Sequence, residues 1–117
     1  MQIDIQTRDF PLTDALRNHA ERRLHFALAI FDDHIQRVAM QLSVINGPRG
    51  GKDKRCYLQV MLIGLSDIVI EDIEADLYVA IDRAVDRAGR TVARKLDRQQ
   101  SLLRRSRPLI SDEQQSA

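Results

Sequence analysis

The feature that most constrains this chain lies in its last third, where Leu77, Ile81, Ala84, Val85, Ala88, Val92 and Leu96 recur three and four residues apart. That spacing puts them on one stripe of an α-helix, and such a stripe needs an apolar surface to cover it. The preceding segments supply one. Residues 2–7 alternate with Ile3 and Ile5 on one side, Val38, Met40, Leu42 and Val44 alternate with Arg37, Ala39, Gln41 and Ser43, and Cys56, Leu58, Val60 and Leu62 share a further parity. This is the period of strands with one covered face. Ile68–Ile73 reads as a fourth strand of ambiguous register, because Ile68 and Ile70 have one parity and Val69 and Ile73 the other; a bulge there would reconcile them.

A second helix is expected over residues 14–31. Leu16, Ala20, Leu24, Ala27 and Phe31 form its stripe, Thr13 is its cap and Leu12 sits where a hydrophobic staple would. Asp76 is placed to cap the last helix, with Glu74 adding negative charge near its positive end. The regular pattern of that helix runs to about Arg98 and frays toward Arg105, and Pro108 ends it. Gly89 costs it about 1 kcal/mol relative to alanine without breaking it. The order is therefore β-α-β-β-β-α: an α+β fold, a four-stranded mixed sheet with two helices packed on one face. Its 117 residues allow one domain, over residues 1–105, with 106–117 expected to be a disordered tail. Without tryptophan, and with five Phe and Tyr residues in all, the core must be mostly aliphatic.

Several function classes are disfavoured. The opening MQIDIQTRD lacks the basic and apolar segments of a secretory signal, and Leu24–Phe31 is too short to cross a bilayer. Cys56 is a lone cysteine on a covered strand face, which reads as core. A cytoplasmic protein without membrane contact follows as the expectation. The loop Asn46–Lys54 holds G-x-x-x-G-K, one residue short of a phosphate-binding P-loop, with Asp53 where Ser or Thr would hold magnesium. It is a flexible hairpin loop on which Arg49, Lys52, Lys54 and Arg55 can reach phosphate as individual cations. His19, His25 and His34 lack the arrangement of metal ligands. Glu71, Asp72, Glu74 and Asp76 fit exposed charge at a helix start better than paired acid–base chemistry. No nucleophile, base and orienting group come together, so neither an enzyme, a cofactor nor a small-molecule substrate is expected.

Charge distribution is more informative. Residues 1–75 carry 9 Lys/Arg and 11 Asp/Glu, whereas residues 76–107 carry 9 Lys/Arg against 4 Asp. Within the basic segment Arg83, Arg87, Arg90, Arg94 and Arg98 follow at spacings of 4, 3, 4 and 4. They occupy a sector of roughly 80°, centred about 140° from the apolar stripe, and span about 22 Å. Arginine's planar fork suits phosphate and base stacking. A solvated helix face braced by ion pairs is the competing reading. Asp86–Arg90 and Arg94–Asp97 are available for such pairs, which leaves at least three arginines unmatched. Lys95 lies nearer the apolar side, where its stem snorkels.

The segment Asp76–Arg98 (DLYVAIDRAVDRAGRTVARKLDR), the loop NGPRGGKDKRC and the opening LTDALRNHAERRL resemble the ribosome hibernation promoting factor family, also called ribosome-associated translation inhibitors. The likeness covers about residues 1–105. It implies a stationary-phase or stress factor that binds the small ribosomal subunit and its rRNA in the channel of messenger and transfer RNA, inhibiting translation by occlusion. The resemblance matches Arg87, Arg90, Arg94 and Arg98 to RNA-contacting positions and Arg23 to a basic position of the first helix; Leu24–Phe31 lacks the further lysine that relatives often carry. The candidate RNA contacts are thus Arg83, Arg87, Arg90, Arg94, Arg98, Arg22, Arg23, Lys52 and Lys54. The stretch after Arg107 is too short for the dimerisation domain of long members, so a short form, monomeric when free, is implied. The competing class is a protein-interaction or transcription-regulatory module that does not bind the ribosome.

Overall fold

The computed structural model describes residues 1–46 and 52–106, with the side chains of Lys52 and residues 104–106 outside the described set. Seven elements follow in chain order: β1 (Gln2–Arg8), α1 (Asp14–Leu28), a 3-10 turn (Ala29–His34), β2 (Ile35–Asn46), β3 (Lys52–Leu62), β4 (Ile68–Glu74) and α2 (Leu77–Ser106). The sheet order is β1-β2-β3-β4. β1 pairs with β2 in parallel through α1, and the two later pairings are antiparallel. The fold is α+β, as the alternation and the two helical stripes require.

The core is a single aliphatic layer between helices and sheet. Leu16, Ala20, Leu24 and Leu28 of α1 and Ile81, Ala84, Val85, Ala88 and Val92 of α2 meet Val38, Met40, Leu42, Cys56, Leu58 and Val60 of the sheet. The caps form as expected. The Thr13 hydroxyl accepts from the Leu16 N–H at 3.2 Å, and Asp76 accepts from the Tyr78 N–H through its side chain at 2.8 Å and from the Ala80 N–H through its carbonyl at 3.0 Å.

Three boundaries and one register differ from those expected. α1 ends at Leu28, so the buried position in its last turn is Leu28, while Phe31 lies half-buried in the 3-10 turn. Ile30, Phe31 and the acidic pair after them are poorer helix formers, and the tighter turn swings the chain into β2. β3 begins at Lys52, which moves Lys52, Asp53 and Lys54 from the loop into the hairpin ladder opposite Asn46, Ile45 and Val44. The remaining loop, residues 47–51 with Arg49, lies outside the described residues. β4 pairs with β3 in unbroken register from Ile68 to Glu74, and the register irregularity falls instead in β2, between Ile35 and Arg37. α2 continues unbroken past Arg98 to Ser106, a rod about 45 Å long. The expected tail lies outside the described residues from 107 onward.

The regular register of β4 resolves its parity. Ile68 and Ile70 face the helices and Val69 and Ile73 face outward, which forces Asp72 and Glu74 onto the helix side as well. These two carboxylates, expected in an exposed cluster, lie half-buried beside α2, and Asp72 keeps only 12% of its side chain exposed.

Candidate nucleic-acid interface

α2 is positioned by its apolar stripe, and that stripe decides where its charges go. With Ile81, Val85, Ala88 and Val92 fully buried, the helix turns Asp82 and Asp86 toward α1 and the arginine row outward, on the flank nearer β4. Asp82 accepts from His19 at 2.8 Å and lies 3.2 Å from Arg23 Nε. Asp86 accepts from Arg23 Nη2 at 2.8 Å. His19 is further held edge-on against Tyr78, ring centroids 4.8 Å apart. Asp86, one of the two acids spaced to pair with the row along the helix, is therefore spent on α1, while Asp97, the other, stays exposed.

The row itself divides in two. Arg87 donates to the Glu71 carbonyl at 2.9 Å and stands 3.5 Å from Asp72. Arg83 lies 3.7 Å from Glu74 while keeping 66% of its side chain exposed. Both cations are thus braced on β4. Beyond them Arg90, Arg94 and Arg98 are exposed, and among the described residues their side chains have no hydrogen-bond or ion-pair partner. At least three arginines remain unmatched, as the spacing requires, but the matched ones are Arg83 and Arg87 rather than Arg90 and Arg94. Arg83, Arg87 and Arg90 share a cleft of about 170 Å³ with Asp72 and Asp86. Arg94 and Arg98 border the next surface groove with Thr91 and Lys95. Lys95 is not a free cation: its Nζ donates to the Ser66 carbonyl and hydroxyl at 2.9 and 2.6 Å, tying α2 to the turn before β4.

The carboxylates beneath the row carry its electrostatic signature. Glu74 is raised above the usual carboxylate range, first by its side-chain hydrogen bond to Asp72, then by burial and by the Asp72 charge, against the opposing pull of Arg83. Cys56, paired across the sheet with Asp72, is pushed up to about 12 by burial and secondarily by that same charge. It is an inert core thiol.

The other candidate cations are scattered around this row. Arg22 is exposed on α1, Arg23 is committed to the seam with α2, Lys54 lies half-buried near the start of β3, and Lys52 opens that strand. Arg22 and Arg23 share α1 beside α2, whereas the β3 lysines stand at the hairpin end of the sheet. Much of the charge on the sheet's outer face is paired within the sheet: Arg37 pairs with Asp4, Arg55 with Glu71, and Gln59 donates to Asp67. Among the described residues no cluster of three or more His, Cys, Asp and Glu is placed to hold a metal ion, and no helix is long and apolar enough to cross a membrane. The residues missed in the sequence are Asp72 and Glu74 as braces for Arg87 and Arg83. Their parity, shared with Ile68 and Ile70, was the available signal.

Residues 3–100 match the family model described as Sigma 54 modulation protein / S30EA ribosomal protein. Among solved structures the chain is similar to the N-terminal domain of Protein Y from Thermus thermophilus, with 35% identity over 80% of this chain and 98% of that one and a TM-score of 0.67. It also shares its fold with a ribosomal subunit interface protein from Coxiella burnetii, at 20% identity over 83% of this chain and 99% of that one, with a TM-score of 0.71. No curated protein matches it.

Proposed function

The chain belongs to the Sigma 54 modulation protein / S30EA ribosomal protein family, and from that premise we propose that it is a ribosome-associated factor that grips small-subunit rRNA and inhibits translation by occupying the channel of messenger and transfer RNA. The observation that carries this reading is the row Arg90, Arg94 and Arg98, exposed and without partners among the described residues, on a helix whose Asp82 and Asp86 are engaged by α1. Folded RNA is held mainly through phosphates and shape, and a rigid line of guanidinium groups one helical turn apart supplies both. Arg83 and Arg87 extend the line over the cleft beside β4, and Arg22 and Lys54 stand ready at its flanks, with Lys52 at the hairpin end.

The mechanism is occlusion without chemistry. A domain over residues 1–105 docks as a rigid body where substrate RNAs would lie, in the cytoplasm, as a monomer when free, and with no cofactor or small-molecule substrate. Sedimentation of the purified protein with small ribosomal subunits on sucrose gradients tests this, alongside cell-free translation. Binding that weakens steeply with salt and tracks with inhibition supports the proposal. The family description also names sigma-54 modulation, which favours a protein-interaction module as the second reading. Recovery of partner proteins from lysate that survives nuclease, with no sedimentation on subunits, would select that one.

A further inference from the structure

α1 and the 3-10 turn that follows it carry a pair of apolar side chains that the core does not use. Phe26 is 83% exposed and Ile30 is 84% exposed. An aromatic ring held that far into water on a regular, well-packed helix needs a reason, because single exposed aliphatics are common but exposed phenylalanines are less so. Its surroundings narrow the reason. Arg22 precedes Phe26 by one turn on the same side of α1 and is exposed, as are Asn18 and His25. Two apolar side chains in such a polar setting are too small a patch for the core of a stable protein interface, which covers about 800 Å² per partner.

The packing of the helices places this ring level with Arg90, the member of the row nearest the seam in angle. His19–Asp82 and Arg23–Asp86 have the same sequence offset of 63 residues, so α1 and α2 run parallel in register. At that offset Phe26 stands level with Gly89 and Arg90. The helices come close there: a Cβ on Gly89 would meet the Ala27 carbonyl oxygen at 3.6 Å and the Ala27 Cβ at 3.7 Å. Phe26 and Arg90 therefore lie at one level on the exposed surfaces of adjacent helices, across the seam where Gly89 meets Ala27. A phenyl ring flanked by arginines is the arrangement that receives an unstacked base while the cations hold its backbone.

We propose that Phe26 is a stacking platform for one unpaired nucleobase of the bound RNA, with Arg22 on the adjoining phosphate and Ile30 as the apolar wall of the same site. This rests on the RNA-binding reading above and names a base contact that phosphate gripping alone does not include.

The test uses the full chain and purified small ribosomal subunits. Since the protein has no tryptophan, Phe26→Trp installs a single reporter in the site. Its emission is expected to be quenched on adding subunits, with affinity kept or improved. Phe26→Ala and Phe26→Leu should each weaken binding by about tenfold or more, because stacking is lost in both. Full affinity in Phe26→Leu would assign the patch to an apolar protein contact and overturn the proposal, as would unquenched emission from bound Phe26→Trp. Circular dichroism checks that each variant is folded, which the exposure of the site favours. If the Phe26 variants bind like the parent while Arg90→Glu/Arg94→Glu does not bind, the stacking site fails and the RNA-binding reading stands. If all of them bind like the parent, both fail.

Discussion

Arg23 of α1 reaches across to α2 and lies 2.8 Å from Asp86 and 3.2 Å from Asp82, so one guanidinium holds two successive turns of the neighbouring helix. Its Nε is enclosed and lacks a hydrogen-bond acceptor, so the attraction to Asp82 is one of charge rather than a formed hydrogen bond. The consequence for function is indirect. Asp86 precedes Arg90 by four residues, the spacing at which the two would pair on an isolated helix, and Arg23 draws the acid away.

Arg23→Ala is accordingly expected to cost about 1 kcal/mol, the upper range for a partly exposed pair, read as a lower urea midpoint at unchanged m-value. It should also weaken small-subunit binding, because Asp86 is released to compete for Arg90. Adding Asp86→Asn should restore the affinity without restoring the midpoint. Affinity that stays low in the double variant would show that Arg23 touches RNA itself.

Gly89 sits in the seam where a methyl group fits. The Ala27 atoms that a Cβ would meet, at 3.6 and 3.7 Å, are at ordinary van der Waals separation. Gly89→Ala should therefore stabilise the protein by about 0.5–1 kcal/mol through helix propensity, seen as a melting temperature several degrees higher. A lowered melting temperature would mean that the helices cannot accept even that methyl. Gly89→Leu should destabilise, since the larger side chain forces α1 and α2 apart.

Cys56 is fully buried and its thiol is pushed up to about 12, by burial first and by Asp72 second. In the native protein it should resist a thiol reagent at pH 8 and react readily once unfolded in urea. Linkage fixes the sign of the alkaline response. The unfolded thiol loses its proton near 9.0 while the folded one keeps it to about 12, so the unfolded state binds fewer protons in that window and stability falls as pH rises through it. Cys56→Ala should flatten that part of the stability curve. Rapid labelling of the native protein would contradict the burial.

Much of this was legible in the sequence because it is written in local periodicity. The alternation of Val38, Met40, Leu42 and Val44, the stripe from Leu77 to Leu96 and the caps Thr13 and Asp76 each depend on neighbours a few residues away. So does the angular position of the arginine row. What the sequence withheld depends on tertiary partners. Asp86 and Arg90 look like a pair along the helix, and the partner that separates them lies 63 residues earlier. Asp72 and Glu74 resembled exposed helix-start charge because carboxylates beneath a helix are costly unless cations reach them, and it is the long side chains of Arg87 and Arg83 that do so. Phe26 was hidden within the apolar stretch Leu24–Phe31, although α1 turns it to solvent. The end of α1 at Leu28 reflects weak propensity beyond it, a signal too small to place a boundary.

If Arg90, Arg94 and Arg98, exposed and without partners among the described residues, serve to meet RNA as proposed, then binding must fail when their charge is reversed. Replacing Arg90 and Arg94 together by glutamate is the sharpest test, because both are exposed and among the described residues neither has a partner whose loss would unfold the domain. Sedimentation with purified small ribosomal subunits is the readout, with circular dichroism and the melting temperature as controls. A folded double variant that no longer sediments with subunits and no longer inhibits translation is the predicted result. A folded double variant that still does both would contradict it.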